Sequence, residues 1–202
     1  MATLRDPENE RALLTAFVAP RYTDIPFPPY RFVPGQNPHP TADPRGHSYH
    51  APGTKVDKIT LVSPVEWARS AEYRLGCDLY NHAYWWEAHE AWEDLWQLTD
   101  KSGVQGRFLQ GLIQTSACHL KRFMGRMNGV KRLQRTSVGY LSSVLDETDG
   151  GSYMGLDLAA FVRSFEAYYH TLGTRMETRI DHDPRAYPYL RLNVGERRKT
   201  IS

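Results

Sequence analysis

The chain lacks long hydrophobic runs: nothing in its 202 residues approaches the roughly 20 apolar positions that a bilayer-spanning helix needs. Its opening, MATLRDPENE, has no apolar core like that of a secretory leader, so a cytoplasmic protein without a membrane partner is expected. Cysteine is scarce. Cys77 and Cys118 are far apart, fit no CxxC or zinc-ribbon spacing, and read as two reduced thiols rather than a disulfide framework. Charge of one sign is also lacking: the net charge of +2 is too mild to predict nucleic acid as a partner. No alternating strand of useful length and no internal repeat is present. What remains is an ordinary globular composition, 41% apolar and 24% charged, which excludes disorder for the chain as a whole. A chain of this length buries about 70% of its unfolded surface and needs no staple to hold a core.

Composition divides the chain into residues 1–62, 63–176 and 177–202. Asp6-Pro7 caps and opens a short N-terminal helix with Leu13, Leu14 and Phe17 on its apolar stripe. The helical pattern then stops, because residues 20–64 hold ten of the thirteen prolines. Tyr22, Ile25, Phe27, Tyr30, Phe32 and Val33 are interleaved with those prolines, which a solvated linker would not need. This arm is expected to lie across the next segment and bury them. From Ser63-Pro64 onward the period is helical. Helices are expected over 64–81 (Val65, Ala68, Leu75 and Leu79 inward), 85–98, 104–124, 128–147 with Asn128 as cap, and 156–176. The last carries Leu158, Phe161, Val162, Phe165, Tyr169, Leu172 and Met176 on one side. The fold class is therefore all-α: an antiparallel helical bundle of about five helices, with an N-terminal helix and a proline-rich extended arm wrapped over it. The polar end, 177–202, reads as frayed.

The chemistry concentrates in NHAYWWEAHEAWEDLWQ, residues 81–97. On a wheel of 100° per residue, Trp85, Ala88, Trp92, Leu95 and Trp96 share one arc. His89 lies at its edge, Glu93 one turn on, and Trp86, Gln97 and Glu90 follow. Glu87 and Asp94 face further round, toward solvent or a partner. Two readings are open. In one, the tryptophans are core and the polar groups are satisfied internally. In the other, His89 and Glu93 are metal ligands or an acid–base pair, with Glu90 or Glu93 as general base, because an i, i+4 pair points two ligands the same way. HEAWE is neither the metalloprotease signature nor the Glu-x-x-His of di-iron bundles.

A third metal ligand is offered by His119, on the apolar arc of helix 104–124 between Phe108 and Leu112. Gln110 and Gln114 lie one turn apart on the opposite face and either bind a polar ligand or are solvated. The arm adds His39, His47 and His50 within twelve residues, and strong turn signals between them allow convergence. His47 or Arg45 then completes a site built on His89 or Glu93. Residues 72–100 carry seven acids and one base, and residues 104–135 seven bases and no acid. Pairing between helices or subunits is the simpler reading of that asymmetry, and weak nucleic-acid binding through 107–135 the other.

Tyr80, Asn81, Trp85, Trp86, Glu87, Ala88, His89, Glu90, Glu93 and Trp96, followed by Phe108, Gln110, Gly111, Leu112, Ile113 and Gln114, make up a longer pattern. This pattern resembles the domain of unknown function 309 family, over roughly residues 70–135. The resemblance implies an all-helical fold and no activity, and it implies that Glu87, His89, Glu90, Glu93 and Trp96 matter together. The expected site is a pocket at the EAHE helix for a divalent metal or small polar ligand, with hydrolysis as its chemistry. Trp85, Trp96, Glu87, Gln110 and Gln114 are its expected ligand-binding residues, and His89, Glu93 and His119 its metal ligands. The alternative is a non-catalytic interaction module, docking the arm or forming a homodimer.

Overall fold

Ser63-Pro64 does start a helical turn, but a short one. In the computed structural model, which describes residues 19–54, 58–172 and 187–194, Pro64 opens a 3-10 turn, Pro64–Arg69. The turn stops at Ser70, whose hydroxyl accepts the Tyr73 N–H at 3.1 Å and caps a new helix, α1, Ala71–Asn81. The single helix expected over 64–81 is thus broken and its register reset. Val65 stands 88% exposed and Ala68 is exposed, while Tyr73, Gly76, Cys77, Leu79 and Tyr80 face inward. Leu75 is half-buried.

Four more helices follow: α2, Trp85–Gln97; α3, Val104–Phe123; α4, Met127–Leu145; and α5, Leu158–Leu172. Consecutive helices pack on one another in chain order. The α1–α2 contact depends on Gly76, since a Cβ there would lie 2.2 Å from the Trp92 indole nitrogen. That indole donates to the Tyr73 carbonyl at 3.3 Å. Gly125, at φ +69°, ends α3. α4 begins one residue before the expected cap Asn128, with Arg126 at the capping position and no side-chain cap. Ahead of α5, β1 (Ser152–Tyr153) and β2 (Leu156–Asp157) pair antiparallel. Met154 and Gly155, at φ 47° and 77°, form the two-residue turn that suits a hairpin. Leu158, Phe161, Val162, Phe165 and Tyr169 are buried as the α5 stripe requires. The N-terminal helix with Leu13, Leu14 and Phe17, and Met176, fall outside the described residues.

The end of the chain is not frayed throughout. Tyr187, Leu190 and Leu192 are buried, and Leu192 bridges Leu156. Asn81 holds this strap: its amide donates to the Leu190 carbonyl at 2.9 Å and accepts the Leu190 N–H at 2.8 Å. The Tyr22 hydroxyl links strap and arm, donating to the Leu190 carbonyl at 2.9 Å and accepting the Leu192 N–H at 2.8 Å. Within the arm, Phe32 and Val33 are buried, Tyr22 and Phe27 pack on the core, and Ile25 stays 38% exposed. Cys77 and Cys118 are buried and free, and burial pushes both thiols above their ordinary pKa. Among the described residues no helix is long and apolar enough to cross a membrane.

Candidate functional site

α2 presents two faces to two different surroundings. The first is covered by the arm. Glu87, expected to face solvent or a partner, is 6% exposed. One of its oxygens, Oε1, accepts the Phe32 N–H at 2.8 Å and lies 3.0 Å from His47 Nε2. His47 is fixed in turn by Ser48 Oγ, 2.8 Å from Nδ1, and by the Tyr30 ring packed against it. The other Glu87 oxygen, Oε2, is buried without a partner among the described residues. Phe32 and His39 pack edge-on against Trp86. A carboxylate in this position turns the EAHE helix into a clasp for residues 30–47. Asp78 on α1 does the same further down the arm, accepting from Tyr22 N, Thr23 N and Thr23 Oγ1 at 2.5, 2.8 and 2.7 Å. Burial nonetheless holds the Asp78 carboxyl above the ordinary range.

The second face carries His89, Glu90 and Glu93, all half-buried. Each offers one ligand atom, and these atoms lie within 4.8 Å of one another. His89 Nε2 and Glu93 Oε2 already meet at 2.9 Å, as the i, i+4 spacing requires. Burial raises the Glu90 carboxyl above its ordinary pKa, an effect His89 opposes and Glu93 and Asp94 reinforce. Asp94 is raised by the same combination of burial and the Glu93 charge. Trp96, one turn on, keeps its indole N–H buried without an acceptor among the described residues, and Lys101 lies 4.1 Å over its ring.

His119 is not part of this cluster. It is 2% exposed, with Nε2 at 2.9 Å from the Tyr80 hydroxyl and Nδ1 at 3.1 Å from the Tyr169 hydroxyl. Trp85, expected to wall the pocket, stacks on His119 at 5.4 Å and belongs to the core. The third member of the cluster is therefore Glu90 rather than His119. The physical reason is that an apolar helix arc buries a histidine with neutral partners, here two tyrosine hydroxyls. Gln114 accepts from Thr136 across the α3–α4 contact, and Gln110 is half-buried. The arm histidines do not converge on His89: His47 goes to Glu87, His39 to Trp86, and His50 is exposed. Arg45 turns back to Asp43 at 2.8 Å, lowering that carboxyl to about 2. Helical spacing carries no sign of the roles of Asp78 and Asn81, although both are polar residues set inside the buried run CDLYN.

Residues 73–133 match the family profile described as Domain of unknown function (DUF309), while no curated protein and no solved structure matches the chain. The matched stretch includes all of α2 and α3. Both EAHE-x-x-E-x-x-W and F-x-Q-G-L-I-Q fall inside it, and over those residues this chain is similar to the DUF309 family.

Proposed function

We propose that the half-buried face of α2 binds a divalent metal ion through His89, Glu90 and Glu93. The observation that carries this reading is the clustering of one imidazole nitrogen and two carboxylate oxygens within 4.8 Å on a single rigid helix. A mixed nitrogen–oxygen set suits zinc or manganese. Three protein ligands on one side leave coordination positions open to water or a small oxygen ligand, the arrangement that hydrolytic metal sites use. The raised Glu90 carboxyl supports it too, since a bound cation relieves the repulsion among Glu90, Glu93 and Asp94.

The test is the metal content of untagged protein equilibrated with zinc or manganese, for wild type and for His89→Ala, Glu90→Gln and Glu93→Gln, with folding followed by circular dichroism. Near-stoichiometric metal in wild type, weakened at least about tenfold in folded variants, is expected. Wild type that takes up neither metal, or variants that bind as wild type does, overturn the proposal. A second reading, in which the helix serves interaction, is favoured by the Glu87–His47 clasp. It concerns the other face of α2 and predicts that Glu87→Ala frees the arm with metal binding intact.

A further inference from the structure

Arg122, in the last turn of α3, is 5% exposed. Its Nη1 donates to the Tyr168 hydroxyl, and the guanidinium carbon lies 5.1 Å over the Tyr168 ring. Its other two nitrogens, Nε and Nη2, are buried and meet no acceptor among the described residues. No ion pair among the described residues includes it, and the run 104–135 around it contains no acid. Two neighbours able to carry negative charge, Cys118 and Tyr168, stay neutral, because burial raises both, Cys118 to about 12.

A guanidinium keeps its proton under all ordinary conditions, so the side chain cannot escape its burial by neutralising. An uncompensated buried charge is among the most costly things a fold can contain. The pattern of what is unmet is specific. Nε–H and Nη2–H lie along one edge of the planar group, the fork that grips two oxygens of a carboxylate or phosphate in parallel. Tyr168 bonds to Nη1, at the opposite end, and takes up neither nitrogen of that fork. Its oxygen accepts from Nη1, so its own O–H remains a third donor on the same side chain pair.

We infer that the Arg122 fork is a binding site for a small oxyanion, a carboxylate or a phosphate, which supplies the counter-charge that none of the described residues does. The two nitrogens are shielded from solvent, so the occupant is enclosed and small. The inference is independent of the metal reading, since it concerns α3 and α5 rather than the polar face of α2.

Thermal unfolding of wild type, Arg122→Met and Arg122→Lys is followed in titrations of acetate and of inorganic phosphate, against chloride at matched ionic strength. A ligand bound only by the folded state raises the midpoint with the logarithm of its concentration. That rise is expected in wild type, absent in Arg122→Met and reduced in Arg122→Lys, which keeps the charge but not the fork. A response to acetate alone identifies a carboxylate, and to phosphate alone a phosphate. In anion-free buffer Arg122→Met is expected to unfold at or above the wild-type midpoint. An equal response in wild type and Arg122→Met, or none beyond chloride, overturns the site, and a buried water in place of an anion gives that second result. Should Arg122→Met fail to fold, calorimetric titration of wild type and Arg122→Lys with the same two anions decides by the same criterion.

Discussion

Asp78 and Glu87 are acids that would be expected in water, and the fold places both under the arm. Their value lies in geometry: an extended proline-rich segment has backbone N–H groups with no ladder to join, and a buried carboxylate gathers several of them. Asp78→Asn turns an amide N–H toward one of the three donors now met by oxygen. A loss of about 1–3 kcal/mol in denaturant unfolding is expected, and an unchanged midpoint would show that the arm contributes nothing there. Glu90 behaves differently. Its folded carboxyl is raised, so the folded protein holds that proton more tightly than the unfolded chain. The stability it contributes is complete below the ordinary carboxylate range and is lost as pH rises through the raised value. Glu90→Gln should therefore melt about 1–2 °C above wild type near neutrality, with the gap closing toward pH 4. A gap independent of pH would contradict the assignment. Metal binding, if Glu90 is a ligand, weakens over that same acidic window as the carboxyl protonates. The sequence named Glu90 and Glu93 readily, because helical spacing places them. It missed the role of Asp78, because spacing says nothing about which distant backbone comes to rest on a helix.

The helices were legible because apolar residues recur at the 3.6 period over ten or more positions in α2 through α5. Where that signal is short, local chemistry took over. Ser70 ended the first turn and restarted the register, and two strands of two residues each are too brief to show alternation. The turn between α1 and α2 carries no glycine, although Ala83 adopts φ 63° there. Its sign is instead the Tyr84 N–H reaching back to the Leu79 carbonyl at 2.8 Å, which terminates α1. The α1–α2 contact gives a sharp prediction. Gly76→Ala drives a methyl group into the Trp92 ring, which is held by its own hydrogen bond and fully buried. A destabilisation of about 1–3 kcal/mol by chemical denaturation is expected, with Trp92 fluorescence shifted in the folded protein. Tolerance of alanine at this position would mean that the two helices can separate freely.

At the scale of the molecule, the helices form a bundle and the segments flanking it close it. Leu190 is fully buried in a segment whose composition suggested a loose end. Composition misled because eight residues with three apolar anchors are too few to outweigh the polar residues around them. Leu190→Ala should cost about 2–5 kcal/mol in equilibrium unfolding, as for any buried leucine, and a change below 0.5 kcal/mol, the range of about ±0.5 kcal/mol ordinary for surface positions, would show that the strap does not stabilise the bundle. The Tyr22 hydroxyl has a temporal consequence as well. Its partners, Leu190 and Leu192, lie 168 and 170 positions downstream. A ribosome adding about 5–20 residues per second needs roughly 10–30 s to make the intervening chain. Throughout that interval the nascent helices can assemble from local contacts, while the Tyr22 hydroxyl and both ends of the Asn81 amide wait for Leu190, in a segment that has not yet been translated.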